Sequence, residues 1–416
     1  MAYRIGITPI IPSVGTGVIP EPSYKPYRLI RPIIRVYDAS MNRVGEITAY
    51  QPLVITENWY APHEWELTVH RDLPGSSVLV AGGWIEAYWD ADTTSFLGVI
   101  ESIRPVITKE GKNTSLVTVA GRGALAGVLK RRAAMAYFST GDGYDTQTSV
   151  AYETAMRHII DVNCVNAIGA NGSADTSRNL SGVTLAPYDL LRGGTADELK
   201  TRGDKILDLL ESWSKTSGLH PDMEWSGTGL NFEFQVGAGT DRSGAGSAAR
   251  VLLTANWGSV SGYEYEYSAY DSADTLYVAG TGDGAARLVQ KAYLGVSEPT
   301  GWDRHEAFVD ASDCDSTDAL TTRGTEQLVA LAPVQSLTFT YNWLNWSARY
   351  KTDFFLGDTV IVDFPDEATM ISRVISVSRT YDGDGLTMDI TVGTGSPDLK
   401  SIVKDLRAST SPIRRR

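Results

Sequence analysis

Apolar and polar positions alternate with period two over much of this chain. In EWELTVH (Glu64–His70), Trp65, Leu67 and Val69 fall on one side. In GGWIEAYWD (Gly82–Asp90), Ile85, Ala87 and Trp89 face one way, and Glu86, Tyr88 and Asp90 the other. The same rhythm runs through SLVTVAGRG, LNFEFQVG, SLTFTYNW, GDTVIVDF and LTMDITVG. Such alternation predicts half-buried antiparallel strands. GYEYEYSAY alternates Tyr with Glu and predicts an exposed or interface strand. The period switches to 3.6 in SVAYETAMRHIIDVN and again after Asp204, where Ile206, Leu207, Leu210 and Trp213 form a stripe that Gly218 ends. TRGTEQLVAL predicts a further short helix.

Two hexamers, VIESIR (Val99–Arg104) and VISVSR (Val374–Arg379), lie 275 positions apart. Moving residues 82–104 forward by that interval lays Gly82 on Gly357, and Ile85, Ala87 and Trp89 on Val360, Val362 and Phe364. Inward parity is kept, and the copies then differ by three residues in a hairpin turn, KEGKN against DGDG. Shared parity, spacing and a closing Gly-x-Gly predict an internal duplication of one β unit.

The pattern gives an α+β, predominantly β chain: two related antiparallel β-barrel domains with an inserted mixed α/β region. The expected divisions are a Pro-rich arm (1–30), a first barrel (31–132), an inserted helical domain (133–250), a mixed β region feeding strands to the second barrel (251–335), the second barrel (336–397) and a polar, basic tail (398–416). Five prolines in the arm remove backbone donors, so it is either extended against a partner surface or a loose terminus.

Composition narrows the functional classes. A length of 416 residues predicts several domains, and a net charge of −13 opposes tight binding of phosphate backbones. Cys164 and Cys314 offer neither a disulfide framework nor metal spacing. No apolar run is long enough to span a membrane. The five histidines are dispersed, and no phosphate loop or nucleophile elbow is present. No catalytic residue, cofactor or metal is assigned. Asp310–Asp318 (DASDCDSTD) reads either as a collection of oxygen ligands for a cation or as a solvated loop.

Several stretches together resemble the hub proteins of siphophage tail tips (Tal-like or baseplate-hub proteins): IIRVYDASMNRVGEI…PLVITENWYAPHEWELTVH, GGWIEAYW…FLGVIESI, DKILDLLESWSKTSGLHPDMEWSGTGLNFEFQVG, YDSADTLYVAGTGDGAARLV…GWDRHEAFVDASD and YKTDFFLGDTVIVDF. They follow the family's order across residues 31–397. The arm and the basic tail depart from it, and no long C-terminal receptor-binding or wall-degrading extension is expected. The resemblance implies a structural virion protein at the tail tip, assembled in the bacterial cytoplasm. It implies a homotrimer whose six related domains adapt a six-fold tail tube to a three-fold tip, forming part of the DNA ejection channel. The implied partners are distal tail and tail-tube proteins, tape-measure protein and tip or receptor-binding proteins, with DNA passing unbound. Glu86, Asp90, Asp363 and Asp389 are the acids expected to face that channel. The alternatives are a tail-associated cell-wall or polysaccharide hydrolase and a carbohydrate-binding β-protein.

Overall fold

The computed structural model describes residues 31–394, apart from 74, 90–94, 108–114, 271, 294, 296, 313, 345–347 and 364–368. The Pro-rich arm, the basic tail and Asp90 lie outside the described residues.

The first β unit holds β1 (Ile33–Tyr37), β2 (Arg43–Ile47), β3 (Leu53–Asn58), β4 (Glu64–His70), β5 (Trp84–Tyr88), β6 (Phe96–Val99), β7 (Ser102–Ile107) and β8 (Ser115–Arg122). Their period-two apolar faces meet in one core that includes Ile34, Leu53, Ile55, Leu67, Ile85 and Val119. Next come α1 (Ala124–Leu129), β9 (Asp145–Ala151), α2 (Tyr152–Ile160), β10 (Val183–Leu185), β11 (Thr195–Thr201), α3 (Ile206–Ser217), β12 (His220–Trp225) and β13 (Phe232–Gly237). The Ile206–Leu210–Trp213 stripe of α3 packs with α1, α2 and β13 in a second core. Gly218 ends α3 in the left-handed region, at φ 73.

The remainder holds β14 (Leu252–Thr254), β15 (Val260–Ser268), β16 (Thr275–Ala279), β17 (Val289–Tyr293), β18 (Glu306–Asp310), α4 (Thr317–Ala330), β19 (Val334–Tyr341), β20 (Thr359–Asp363), β21 (Met370–Tyr381) and β22 (Leu386–Gly393). A small sheet of order β17-β16-β18 packs on α4 around its own core. The other strands build a second β unit around Phe339, Val360, Val377 and Ile390.

The fold is predominantly β with an α/β insertion, as the alternation predicts. Closed barrels are not what the strands form. Four strands of each unit join one long sheet, of order β15-β19-β22-β21-β3-β4-β8-β7. Each unit spends an edge on pairing its neighbour across β21 and β3, instead of closing on itself.

Candidate functional site

The long sheet contains two quartets that correspond strand for strand: β3-β4-β8-β7 and β15-β19-β22-β21. Leu67 pairs Val119 as Phe339 pairs Ile390. Ser102, Ile103 and Arg104 pair Ala120, Val119 and Thr118, as Ser376, Val377 and Ser378 pair Thr391, Ile390 and Asp389. Gly82 N–H bonds Ile100 O at 2.8 Å, and Gly357 N–H bonds Val374 O at 2.8 Å. Both glycines sit in the left-handed region, at φ 83 and 87.

These pairings correct the sequence alignment by one residue. β5 matches β20 at an interval of 275, but Ile100 corresponds to Val374, so from there the interval is 274. The connection before β21 is one residue shorter than that before β6, and an alignment without gaps cannot register it. Arg104 and Arg379 are therefore not equivalent. Arg104 is exposed and corresponds to Ser378, whereas Arg379 is buried and corresponds to Pro105.

The face of the long sheet opposite its cores is a field of short hydroxyl side chains bonded across strands. Thr338 meets Thr391 at 2.9 Å, Thr68 meets Thr118 at 3.2 Å and Thr56 meets Ser378 at 3.3 Å. Asp389 belongs to this face and accepts from Thr340 Oγ1 at 2.8 Å. Cross-strand register adds Glu64 and Glu66 of β4 and Glu264 and Glu266 of β15, all exposed. The alternation in EWELTVH and GYEYEYSAY already carried that signal. Asp363 ends β20, off this path, and accepts from Thr369 Oγ1 at 3.1 Å.

Glu86 does not face an opening. It is 4% exposed and accepts from the Tyr37 hydroxyl at 2.7 Å, with Arg35 opposite at 3.4 Å. β5 is covered on both faces, by its own core and by the insertion, so its polar positions need internal partners. Burial and the Glu86 carboxylate push the Tyr37 phenol up to about 12. The acidic run near residue 310 is spread among cations: Asp310 pairs with Arg287, and Asp315 with Lys200.

Among the described residues the sheet ends on two unlike open edges. On β15, Tyr263, Tyr265 and Tyr267 occupy the core-side positions of Leu53, Ile55 and Glu57 yet remain 45%, 51% and 56% exposed. On β7, Arg104 is exposed, and Pro105 sits mid-strand, a position proline tolerates only at an edge.

The junction of the two quartets is polar on the core side. Buried Glu57 takes Lys351 Nζ at 2.8 Å, Arg379 at 3.0 Å and the Tyr350 hydroxyl at 3.1 Å. Burial alone would raise the Glu57 carboxyl, but Arg379 and Lys351 outweigh it and hold the group well below the usual carboxylate range. Beside it, His63, His220 and Asp222 place ligand atoms within 4.8 Å of one another. The histidines of this candidate cation site fit a metal unequally. His220 Nδ1 lies 2.6 Å from Trp59 O and must donate, which frees Nε2. His63 Nδ1 accepts Asn58 N–H at 3.0 Å, which leaves the proton of the neutral ring on Nε2, where a metal would need a lone pair.

At the contact of α4 with the insertion, burial raises the Glu326 carboxyl to about 7, against the pull of Arg323 and Tyr152. Its Oε1 has no hydrogen-bond partner among the described residues. The native state therefore holds a proton that the unfolded chain releases near 4.5, and stability falls as pH rises from about 4.5 to about 7. Glu326→Gln is expected to flatten that slope and to stabilise the protein at pH 8 by about 3 kcal/mol in denaturant titrations. An unchanged slope would refute the assignment.

Comparison with known proteins agrees with this architecture. The chain is similar to a tail protein from Neisseria meningitidis MC58, at 14% identity and TM-score 0.50, covering 86% of this chain and 96% of that one. It is also similar to the 43 kDa tail protein of prophage MuSo2 from Shewanella oneidensis, at 11% identity and TM-score 0.52, covering 86% and 98%. At these identities the likeness is one of fold. No curated protein matches by sequence. The family model described as Siphovirus ReqiPepy6 Gp37-like protein matches residues 33–394.

Proposed function

Since the chain belongs to the Siphovirus ReqiPepy6 Gp37-like family of phage tail proteins, we propose that it is a trimeric hub at the tail tip, which adapts a six-fold tube to a three-fold tip and forms part of the DNA channel. The observation that carries this reading is the repeated quartet with unlike open ends. Inside one chain, β3 of the first quartet adds to β21 of the second, with Val377 opposite Glu57 and Ser378 opposite Thr56. The corresponding free edges are β7 and β15. If they join in the same way between copies, Ile103 falls opposite Tyr267 and Arg104 opposite Glu266. That register covers the exposed tyrosines and sets a cation against an acid. A head-to-tail contact of this kind generates a ring when its rotation closes. Three copies would present six quartets, the symmetry implied by the family resemblance.

In this ring the hydroxyl face lines the channel. Short Ser and Thr side chains give a smooth wall, and Asp389, Glu64, Glu66 and Glu264 repel phosphate, so DNA slides without sticking. Tail-tube, tape-measure and tip or receptor-binding proteins are the proposed neighbours. The proposed division into a first β unit, an insertion and a second β unit is the one read from sequence, and the proposed role is mechanical, with no catalytic residue.

Native mass spectrometry should show a particle three times the 45.1 kDa chain mass, and imaging a ring with a central hole. Cysteines placed by Arg104→Cys and Glu266→Cys should crosslink neighbouring chains into closed trimers. A protein that stays monomeric both alone and with tail tube would sink the hub reading. Trimers without the crosslink would leave the hub standing and remove this seam.

A further inference from the structure

A cavity of about 320 Å³ lies where the first β unit, α1 and the insertion meet. It belongs neither to the long sheet nor to its edges. Its floor is apolar: the rings of Trp84 and Phe232, 5.7 Å apart, with Val128, Leu180 and Val183. Gly127 lets Trp84 approach α1 closely, because a Cβ there would stand 2.5 Å from the indole ring. The volume and lining fall within the usual range for a small-molecule site between domains.

The mouth has the opposite character. α1 runs out into Lys130-Arg131-Arg132, and all three line the opening. Arg132 is engaged inward, donating to the carbonyls of Asn163 and Arg178. Lys130 and Arg131 are exposed and have no acidic partner among the described residues. No Asp or Glu lines the cavity, although the chain as a whole carries −13. Lys130 is also held at φ 49 and ψ −116, a conformation where glycine fits with less strain. A strained cation over an apolar floor, in an acidic protein, is a local inversion of charge that no acid among the described residues answers.

We propose that this cavity binds a single-chain amphiphilic anion, with its apolar tail against Trp84 and Phe232 and its carboxylate or phosphate head between Lys130 and Arg131. Arg131 supplies paired donors for a planar or tetrahedral anion, and Lys130 a point charge. A cationic or neutral head would leave both bases without a partner. The inference stands independently of the hub reading.

The test uses the full chain and amphiphiles below their micelle concentration. Decanoate and decyl phosphate should bind saturably by calorimetry, at least about tenfold more tightly than decyltrimethylammonium. Lys130→Glu with Arg131→Glu, both at exposed positions, should abolish that preference. Ser181→Trp at the rim should weaken all three ligands while leaving the melting temperature unchanged. Vesicles of phosphatidylglycerol distinguish the sources: sedimentation with vesicles that both variants lose points to a lipid headgroup, and binding of free decanoate alone points to a soluble anion. Equal binding of the cationic amphiphile, binding untouched by both variants, or no saturable binding would each overturn the proposal. So would saturable binding of an acidic peptide by a protein that does not bind decanoate.

Discussion

Arg379→Ala is expected to destabilise the protein by about 3–5 kcal/mol, because it leaves Glu57 buried with a single remaining cation. Arg379 lies on β21 and Glu57 on β3, so their 3.0 Å contact spans the line where the two β units join. Tyr350 and Lys351 hold the other lone pairs of the carboxylate. The pair is costly to halve and less costly to remove whole. Glu57→Leu combined with Arg379→Met should therefore recover most of the loss, to within about 1 kcal/mol of the parent. A double-mutant cycle by urea unfolding measures the coupling. An Arg379→Ala cost below about 1 kcal/mol would mean that the junction carries no buried charge requirement. The same network fixes a pH dependence. The depressed Glu57 carboxyl contributes stability that is fully present above its ordinary value near 4.5 and is lost progressively as pH falls from there through its lower folded value.

The second large effect separates two glycines that the duplication makes equivalent. Gly82 and Gly357 both hold left-handed backbone, so alanine costs about 1 kcal/mol of strain at either. Only Gly357 is also crowded. A Cβ there would stand 1.9 Å from the Trp59 ring, while at Gly82 no atom lies within 4 Å. Trp59 cannot easily yield. Its Nε1 donates to Gly218 O at 3.1 Å, its ring stacks on His220 at 4.8 Å, and Arg373 lies over it at 5.3 Å. Gly357→Ala should therefore cost about 4 kcal/mol and perturb the near-ultraviolet dichroism of Trp59, and Gly82→Ala should cost about 1. Equal losses would show that Trp59 moves aside freely.

Much of this architecture is legible in the sequence, since period-two alternation assigns each strand's faces without knowledge of its partners. Trp65, Leu67 and Val69 read as core, and Glu64 and Glu66 as the opposite face, from EWELTVH alone. The Tyr-Glu alternation of β15 likewise marks an exposed or interface strand, and β15 lies exposed at an end of the sheet. The repeat is legible too, although the one-residue shortening before β21 hides its register behind a coincidence of letters. VIESIR and VISVSR match at their arginines, yet one arginine is exposed and the other closes the buried junction.

What the sequence determined was local: which positions point inward, where strands and helices stop, and which family motifs occur in order. That information depends on a residue and its near neighbours, through backbone sterics and the two-residue repeat of the pleat. Only the tertiary structure decided which charges are buried. Glu86 and Glu57 sit on strands whose alternation looks ordinary, and each becomes internal because a remote segment covers it, the insertion in one case and the second β unit in the other. The approach of His63 to His220, the fusion of two units into one sheet and the choice of β7 and β15 as its open ends belong to the same class. They arise from pairings between segments separated by more than a hundred residues, where loop lengths set the register and desolvation sets the cost of every unpaired charge.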